Sequence, residues 1–547
     1  MTQPHGWQRK DWLLLILLIG LGVAVRALAT TLPRVAWGDE PYYLWIGRSF
    51  WAGTGFNAMG YSAANFPPLF PLLAGAVDRL TGNLIWASNL VYIVTGALLV
   101  WPLTALARAI YSPLAGWLVG LVTALYPALV TGVLTWGTMT EPLYLLLIGL
   151  AIYALFRALD DQPMRWRHFI ALGTALSLAY LTRTEALVFL AAALLLLLAG
   201  LMLRREHWSR VLARLASVII VFLLVAAPYL VYIQRSTGHW SLTGAAGMAF
   251  TSMSGLVTND PATFDRATWE LDPLDNEVFL FSRSSGGESV VTTVLADPLA
   301  MLRRFRQGAS TASALLWSLK LAPWIFAALA ALGLFARSWP ARRLRGEAAM
   351  LASLAAPLAY LPFFVQERYL AGLLLPIMVW LGAGVEVLGE WLRGSVENLR
   401  TRPLSTGQAR ALTLVPVLVL AVVMLLLSPL VWRTMQRTHS FQPGHLAAAT
   451  ALRAAGATSD DVLLSRYPAI ALHANMRWAA TPAEDWPTVL AYARQHQATY
   501  LAMDSWEASL RPQLDFLLIP TLAPPELRYL TTLETGETPV VLYKFVP

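Results

Sequence analysis

The chain has 547 residues, of which 57% are hydrophobic and 13% charged, with a mean hydropathy of +0.56; a soluble protein carries roughly 25% charged residues. This excludes an ordinary soluble domain and implies a polytopic membrane protein, with room for about ten helices of the roughly 20 residues that cross hydrocarbon. The net charge of +8 is not a nucleic-acid footprint, because the arginines fall in short segments between apolar runs, where they encode orientation. The absence of cysteine excludes disulfides, thiolate chemistry and Cys-ligated metal.

In chain order, a first span is predicted over about 12 to 32, preceded by QRK, which places the N-terminus in the cytoplasm. It lacks a small-residue cleavage site and reads as a retained anchor. An external loop over about 33 to 83 follows, containing RVAWGDEPYYLWIGRSF and NFPPLFP. Spans two to four are predicted at about 84 to 106, about 113 to 131, and from TWGTMTEP to FRALDDQPMRWRH. The next apolar stretch is interrupted by a charged TRTE; with RWRH and RREHWSR flanking it on the same side, it reads as two short spans meeting at the outer face. Span seven, about 211 to 233, leads to a polar external stretch over about 234 to 312, too long for a simple connector. Its basic MLRRFRQ suggests a gate for donor or acceptor. Span eight is predicted at about 314 to 336, spans nine and ten on either side of QERYL, and span eleven at about 411 to 431.

Eleven spans divide the chain into a membrane core, 1–432, and an extracytoplasmic tail, 433–547. In the tail DVLLS, TYLAMD and PVVLYKFV read as strands and WPTVLAYARQHQ as a helix, predicting a small α/β domain. No internal repeat of the kind common in transporters is evident.

The chemistry-bearing residues gather at the outer ends of the spans. Asp39, after Gly38 and before a helix-forming run, has the position of an N-cap, with Glu40 at the positive end of the helix dipole. Tyr42, Tyr43, Trp45, Ile46, Phe50 and Trp51 predict that this helix lies in the membrane interface. On that pattern alone it is a capped interfacial helix without chemistry. Glu141 begins span four, Arg183 and Glu185 lie in LTRTE, and Glu367, Arg368 and Tyr369 in QERYL. Taken singly these are a helix start, a connector salt bridge and a snorkelling arginine. Together they suggest a cavity, since charge at membrane depth is costly and tends to be functional. A sugar on a polyprenyl phosphate suits this set: the leaving group needs cations, which the bidentate arginine fork supplies, and the acceptor hydroxyl needs one carboxylate as base. His239 and His473 are isolated and read as structural, so no metal is predicted.

The order of these motifs, DE before an aromatic helix, then PPLFPLL, an acid heading the fourth span, RTE and a late RYL, resembles the GT-C superfamily of integral-membrane glycosyltransferases, in the branch of protein O-mannosyltransferases, aminoarabinose transferases and bacterial Rgt-like enzymes. The resemblance implies a helical polytopic GT-C fold with an external α/β domain. It implies inverting transfer from a polyprenyl-phosphate sugar to a glycolipid, polysaccharide or protein acceptor at the outer face of a bacterial inner membrane. By that resemblance Asp39 is the general base, Glu40 holds the acceptor or the base's orientation, and Glu141 is the second acid, where the family has Asp. Arg368 and Tyr369 contact the lipid phosphate, with Arg183 assisting and Glu185, Glu367 and Tyr43 nearby. A transporter or flippase of a lipid-linked solute, for which Arg26 is the deep charge, and a scaffold with a partner-binding tail are the alternatives.

Overall fold

A computed structural model describes residues 7–161, 165–243, 261–272, 276–278, 297–400, 404–438, 442–534 and 539–546. Much of the long 234–312 stretch, and with it part of the expected gate, lies outside the described residues. Among those described, seven stretches are helical, long and apolar enough to cross a membrane: Arg9–Ala29 (α1), Leu84–Ile110, Glu141–Asp160, Ala186–Leu203, Trp208–Thr237, Glu367–Asn398 and Thr406–Met435. Four predicted spans take other forms. Span five is the 15-residue helix Trp166–Tyr180. Span nine is the pair Ala341–Ser353 and Ala355–Leu358. Span eight separates into Pro298–Leu316 and the short Trp324–Phe335, because the segment between carries Lys320, held by Glu367, and ends on Pro323.

Span three is broken by Pro127. The helix Pro113–Leu125 stops at Tyr126, whose backbone is extended, as expected for a residue preceding proline. The carbonyls of Thr123 and Ala124 then lack helical partners, and Arg26 of α1 donates to them at 3.3 and 3.1 Å. A fully buried cation thus sits at the negative end of a helix dipole. The charge on which a transporter reading would rest is engaged in closing a helix break.

The DE loop leads into α2 (Glu40–Trp51), and α3 (Leu69–Thr81) crosses it backbone to backbone. A Cβ on Gly47 would lie 2.2 Å from the Pro71 carbonyl oxygen, and one on Gly75 2.4 Å from the Gly47 carbonyl. Gly47→Ala is therefore expected to cost about 1–3 kcal/mol through overpacking and to lower the thermal unfolding midpoint in detergent, whereas Gly394→Ala, where a Cβ meets nothing within 4 Å, leaves it unchanged or raised. This close crossing also corrects the prediction for the aromatic helix. Tyr42, Tyr43, Trp45 and Ile46 are buried in protein, with Tyr43 edge-on to Phe66 and Phe70 and Trp45 stacked on Trp478 of the tail. Only Phe50 and Trp51 of the six are exposed.

The tail begins, among the described residues, with the helix Gln442–Ala454. It is built on a five-stranded sheet in the order Arg477–Ala480, Val462–Ser465, Tyr500–Asp504, Val540–Phe545, Leu527–Leu533. The first three strands are parallel and the last two pair antiparallel. The three strands read from apolar runs are present, as is the helix Trp486–Gln495, which is capped by the Asp485 side chain. Arg477–Ala480 and Leu527–Leu533 carried no comparable apolar run. The tail also grips the long stretch between Trp208–Thr237 and Trp324–Phe335: Asp265 is held by Arg466 and, at 2.7 Å, by Arg511, all three buried.

Candidate active site

The site begins with one left-handed backbone position. Gly38 has φ +61°, and a Cβ there would lie 2.9 Å from the Gly137 oxygen. This turn lets the N–H groups of Asp39 and Glu40 both donate to that carbonyl, at 2.9 and 3.0 Å. Two of the orphan donors at the head of α2 are thereby satisfied by backbone. Asp39 occupies the N-cap position but makes no side-chain cap bond, which corrects the capping prediction: its carboxylate is released for other use. It accepts from Arg368 Nη1 at 3.0 Å, across 329 residues of sequence.

Glu40 points elsewhere. Its two oxygens receive the Arg34 guanidinium at 2.7 and 2.9 Å and the Ser88 hydroxyl at 2.6 Å, while Arg34 also donates to Asn89. With both oxygens engaged inside the protein, Glu40 fixes the first turn of α2 to the helix Leu84–Leu98, and so orients the segment bearing Asp39. It does not present a free carboxylate to an acceptor.

The other predicted residues form one chain of contacts. Arg368 Nη2 donates to the Tyr369 hydroxyl at 2.9 Å, and its guanidinium lies 4.9 Å from the centre of that ring. The Arg183 guanidinium lies 5.5 Å from the same ring, and Tyr360 is stacked on it at 4.3 Å. Arg183 pairs with Glu141 at 2.7 Å and with Glu185, and Thr138 donates to Glu141 at 2.6 Å. Glu367 is drawn aside by Lys320 at 2.8 Å. Burial, and after it the Asp39 charge, pushes the Tyr43 phenol well above its ordinary value, so it stays protonated beside the site.

Exposure separates the acids. The Asp39 side chain is 40% exposed, that of Glu141 1%, so of the two only Asp39 is open to a substrate. The cations differ as well. Arg183 divides its charge between two carboxylates, whereas Arg368 faces one carboxylate and a phenol, and its buried Nε has no hydrogen-bond partner among the described residues. Two predicted histidines fall differently: His239 is exposed just beyond Trp208–Thr237, and His473 reaches back from the tail to the DE loop. Sequence reading missed Arg34, Ser88, Thr138, Tyr360 and Lys320. Arg34, six residues before Glu40, and Thr138, three before Glu141, offered local signals; the rest lie in unrelated segments.

An accessible carboxylate is thus joined to an arginine whose Nε has no partner among the described residues, beside the first turns of α2 and of the apolar helix Glu367–Asn398. The family model described as dolichyl-phosphate-mannose-protein mannosyltransferase matches residues 65–232, a range that contains Glu141, Arg183 and Glu185. A search of curated protein sequences gives no match. Among solved structures, the chain is similar to ArnT from Cupriavidus metallidurans bound to undecaprenyl phosphate, at 13% identity and TM-score 0.58 over 98% of both chains. It is similar to the archaeal oligosaccharyltransferase AglB from Archaeoglobus fulgidus in complex with an inhibitory peptide and a dolichol-phosphate, at 15% identity and TM-score 0.52 over 91% of this chain and 70% of that one. Arabinofuranosyltransferase AftD from Mycobacteria matches at 13% identity and TM-score 0.50 over all of this chain and 40% of that one. The fold is that of the GT-C superfamily of integral-membrane glycosyltransferases.

Proposed function

We propose that the protein transfers a sugar from a polyprenyl-phosphate donor to a hydroxyl of a glycolipid, polysaccharide or protein, at the outer face of a bacterial inner membrane. The observation that carries this is the contact between Asp39, which is far more exposed than Glu141, and Arg368, whose Nε has no hydrogen-bond partner among the described residues. In the proposed reaction the acceptor oxygen attacks the anomeric carbon while its proton passes to Asp39. The bond from that carbon to the phosphate oxygen breaks, and polyprenyl phosphate leaves with the electron pair. Arg368, braced by Tyr369, meets the charge that develops on the phosphate; fixed cations at such a point are a major source of rate. Arg183 stays paired with Glu141 and Glu185, its guanidinium 5.5 Å from the Tyr369 ring. Both roles are filled by side chains, so the proposal calls on no metal.

Attack opposite the leaving group inverts the anomeric centre. The test is purified protein in liposomes with polyprenyl-phosphate hexoses and pentoses and a panel of acceptors, with the product's anomeric configuration read by NMR. Transfer with inversion is expected. Retention, or release of free sugar with no acceptor labelled, would overturn the mechanism, and vesicle flux of the donor without transfer would favour the transporter alternative.

A further inference from the structure

The DE loop is held from two sides. From the segment before the helix Glu141–Asp160, Gly137 takes the N–H groups of Asp39 and Glu40, and Thr135 accepts from the Trp37 indole at 3.2 Å. On the other side the grip comes from the tail. The backbone N–H of Ala36, a fully buried residue three positions before Asp39, donates to Nε2 of His473 at 2.9 Å, across 437 residues of sequence.

We propose that His473 is a positioning residue for sugar transfer: the tail acts as a strut whose imidazole sets the DE loop, and through it the Asp39 carboxylate. This rests on the reading of Asp39 as the base. Three features support it. First, among the described residues Ala36 N–H has no helical or strand partner, and a buried N–H left unpaired costs about 1–3 kcal/mol, so without His473 the loop would have to move to satisfy it. Second, the tail is seated where it can bear load. Tyr61 accepts from the Ala480 N–H at 3.2 Å, and Trp478 packs on both Tyr42 and Trp45 of α2; the carbonyl of His473 itself accepts from Arg453 at 2.6 Å. Third, the imidazole keeps the lone pair this bond needs: burial, followed by Arg34, His445 and Arg453, pushes its pKa down to about 4, so it stays neutral through mildly acidic pH. With Nε2 accepting, the proton resides on Nδ1.

A shift of a base by about 1 Å costs up to about 10²-fold in rate, so the effect is expected in turnover and not in donor affinity. The test compares His473→Leu, His473→Gln and Asp39→Asn in the reconstituted transfer assay, with polyprenyl-phosphate affinity and thermal midpoint measured on each. His473→Leu is expected to lower kcat about 10- to 100-fold with donor affinity within about twofold of wild type. His473→Gln, whose side-chain oxygen falls near the Nε2 position, is expected to restore most of kcat. Full kcat in the Leu variant overturns the inference, as does an equal loss in both variants accompanied by an equal fall in midpoint, which would mark a merely structural residue. If Asp39→Asn transfers at the wild-type rate, it is the assignment of the base that fails.

Discussion

Asp39→Asn is expected to reduce transfer about 10³-fold, within the 10²–10⁴-fold range for removal of a positioned general base, while the protein folds and binds polyprenyl phosphate normally. The geometry separates these outcomes. Asp39 makes no side-chain cap bond, and the head of α2 is secured by Gly137 and by the Glu40 pair with Arg34. An amide at position 39 keeps an oxygen for Arg368 and the shape of the turn, and loses only the capacity to take a proton. The measurement is single-turnover transfer at saturating donor, together with donor affinity. A loss of affinity as large as the loss of rate would show that Asp39 serves binding and not proton removal.

Arg368→Met is expected to lower kcat/KM for the lipid donor about 10²–10³-fold, the magnitude found on removing one donor to a developing oxyanion. The effect should appear in both donor affinity and turnover, because the guanidinium is proposed to meet the phosphate before and during departure. Arg368→Lys keeps the charge but not the planar fork, and Lys cannot bridge Asp39 and the Tyr369 hydroxyl in the same way, so partial recovery is expected. Arg183→Met provides the contrast. It would leave Glu141 and Glu185 without their shared cation, and breaking a buried pair costs about 3–5 kcal/mol, so its main signature is a lower unfolding midpoint. If the Arg183 variant instead loses donor binding with stability intact, the phosphate lies nearer Arg183 than proposed.

The contrast between these arginines shows how much of the site could be read in advance. The predicted residues sat at span ends or in the loop after the first span, where charge and aromatic residues stand out against long apolar runs, and the parity of the spans placed them at one end of the bundle. Which carboxylate is open and which is consumed was not readable. Asp39 and Glu40 are adjacent in the chain, yet one faces Arg368 and the other Arg34, because successive residues at a helix start point about 100° apart. Their partners were supplied by segments 329 and 6 residues away. The expectation that the α2 aromatics face the membrane interface failed for four of the six for a related reason: their pattern specifies an apolar environment and cannot distinguish lipid from protein.

By itself, the sequence determined that this is a helical membrane protein with a mixed α/β tail, where most of the spans fall, and which few charged residues lie at their ends. Apolar run length and charge placement are local properties that the hydrocarbon layer selects directly. Only the tertiary structure decided the pairings: Arg26 on a broken helix, Asp39 on Arg368, and His473 of the tail on Ala36. These hydrogen bonds depend on angstrom-scale approach between segments 97 to 437 residues apart, which no local pattern encodes.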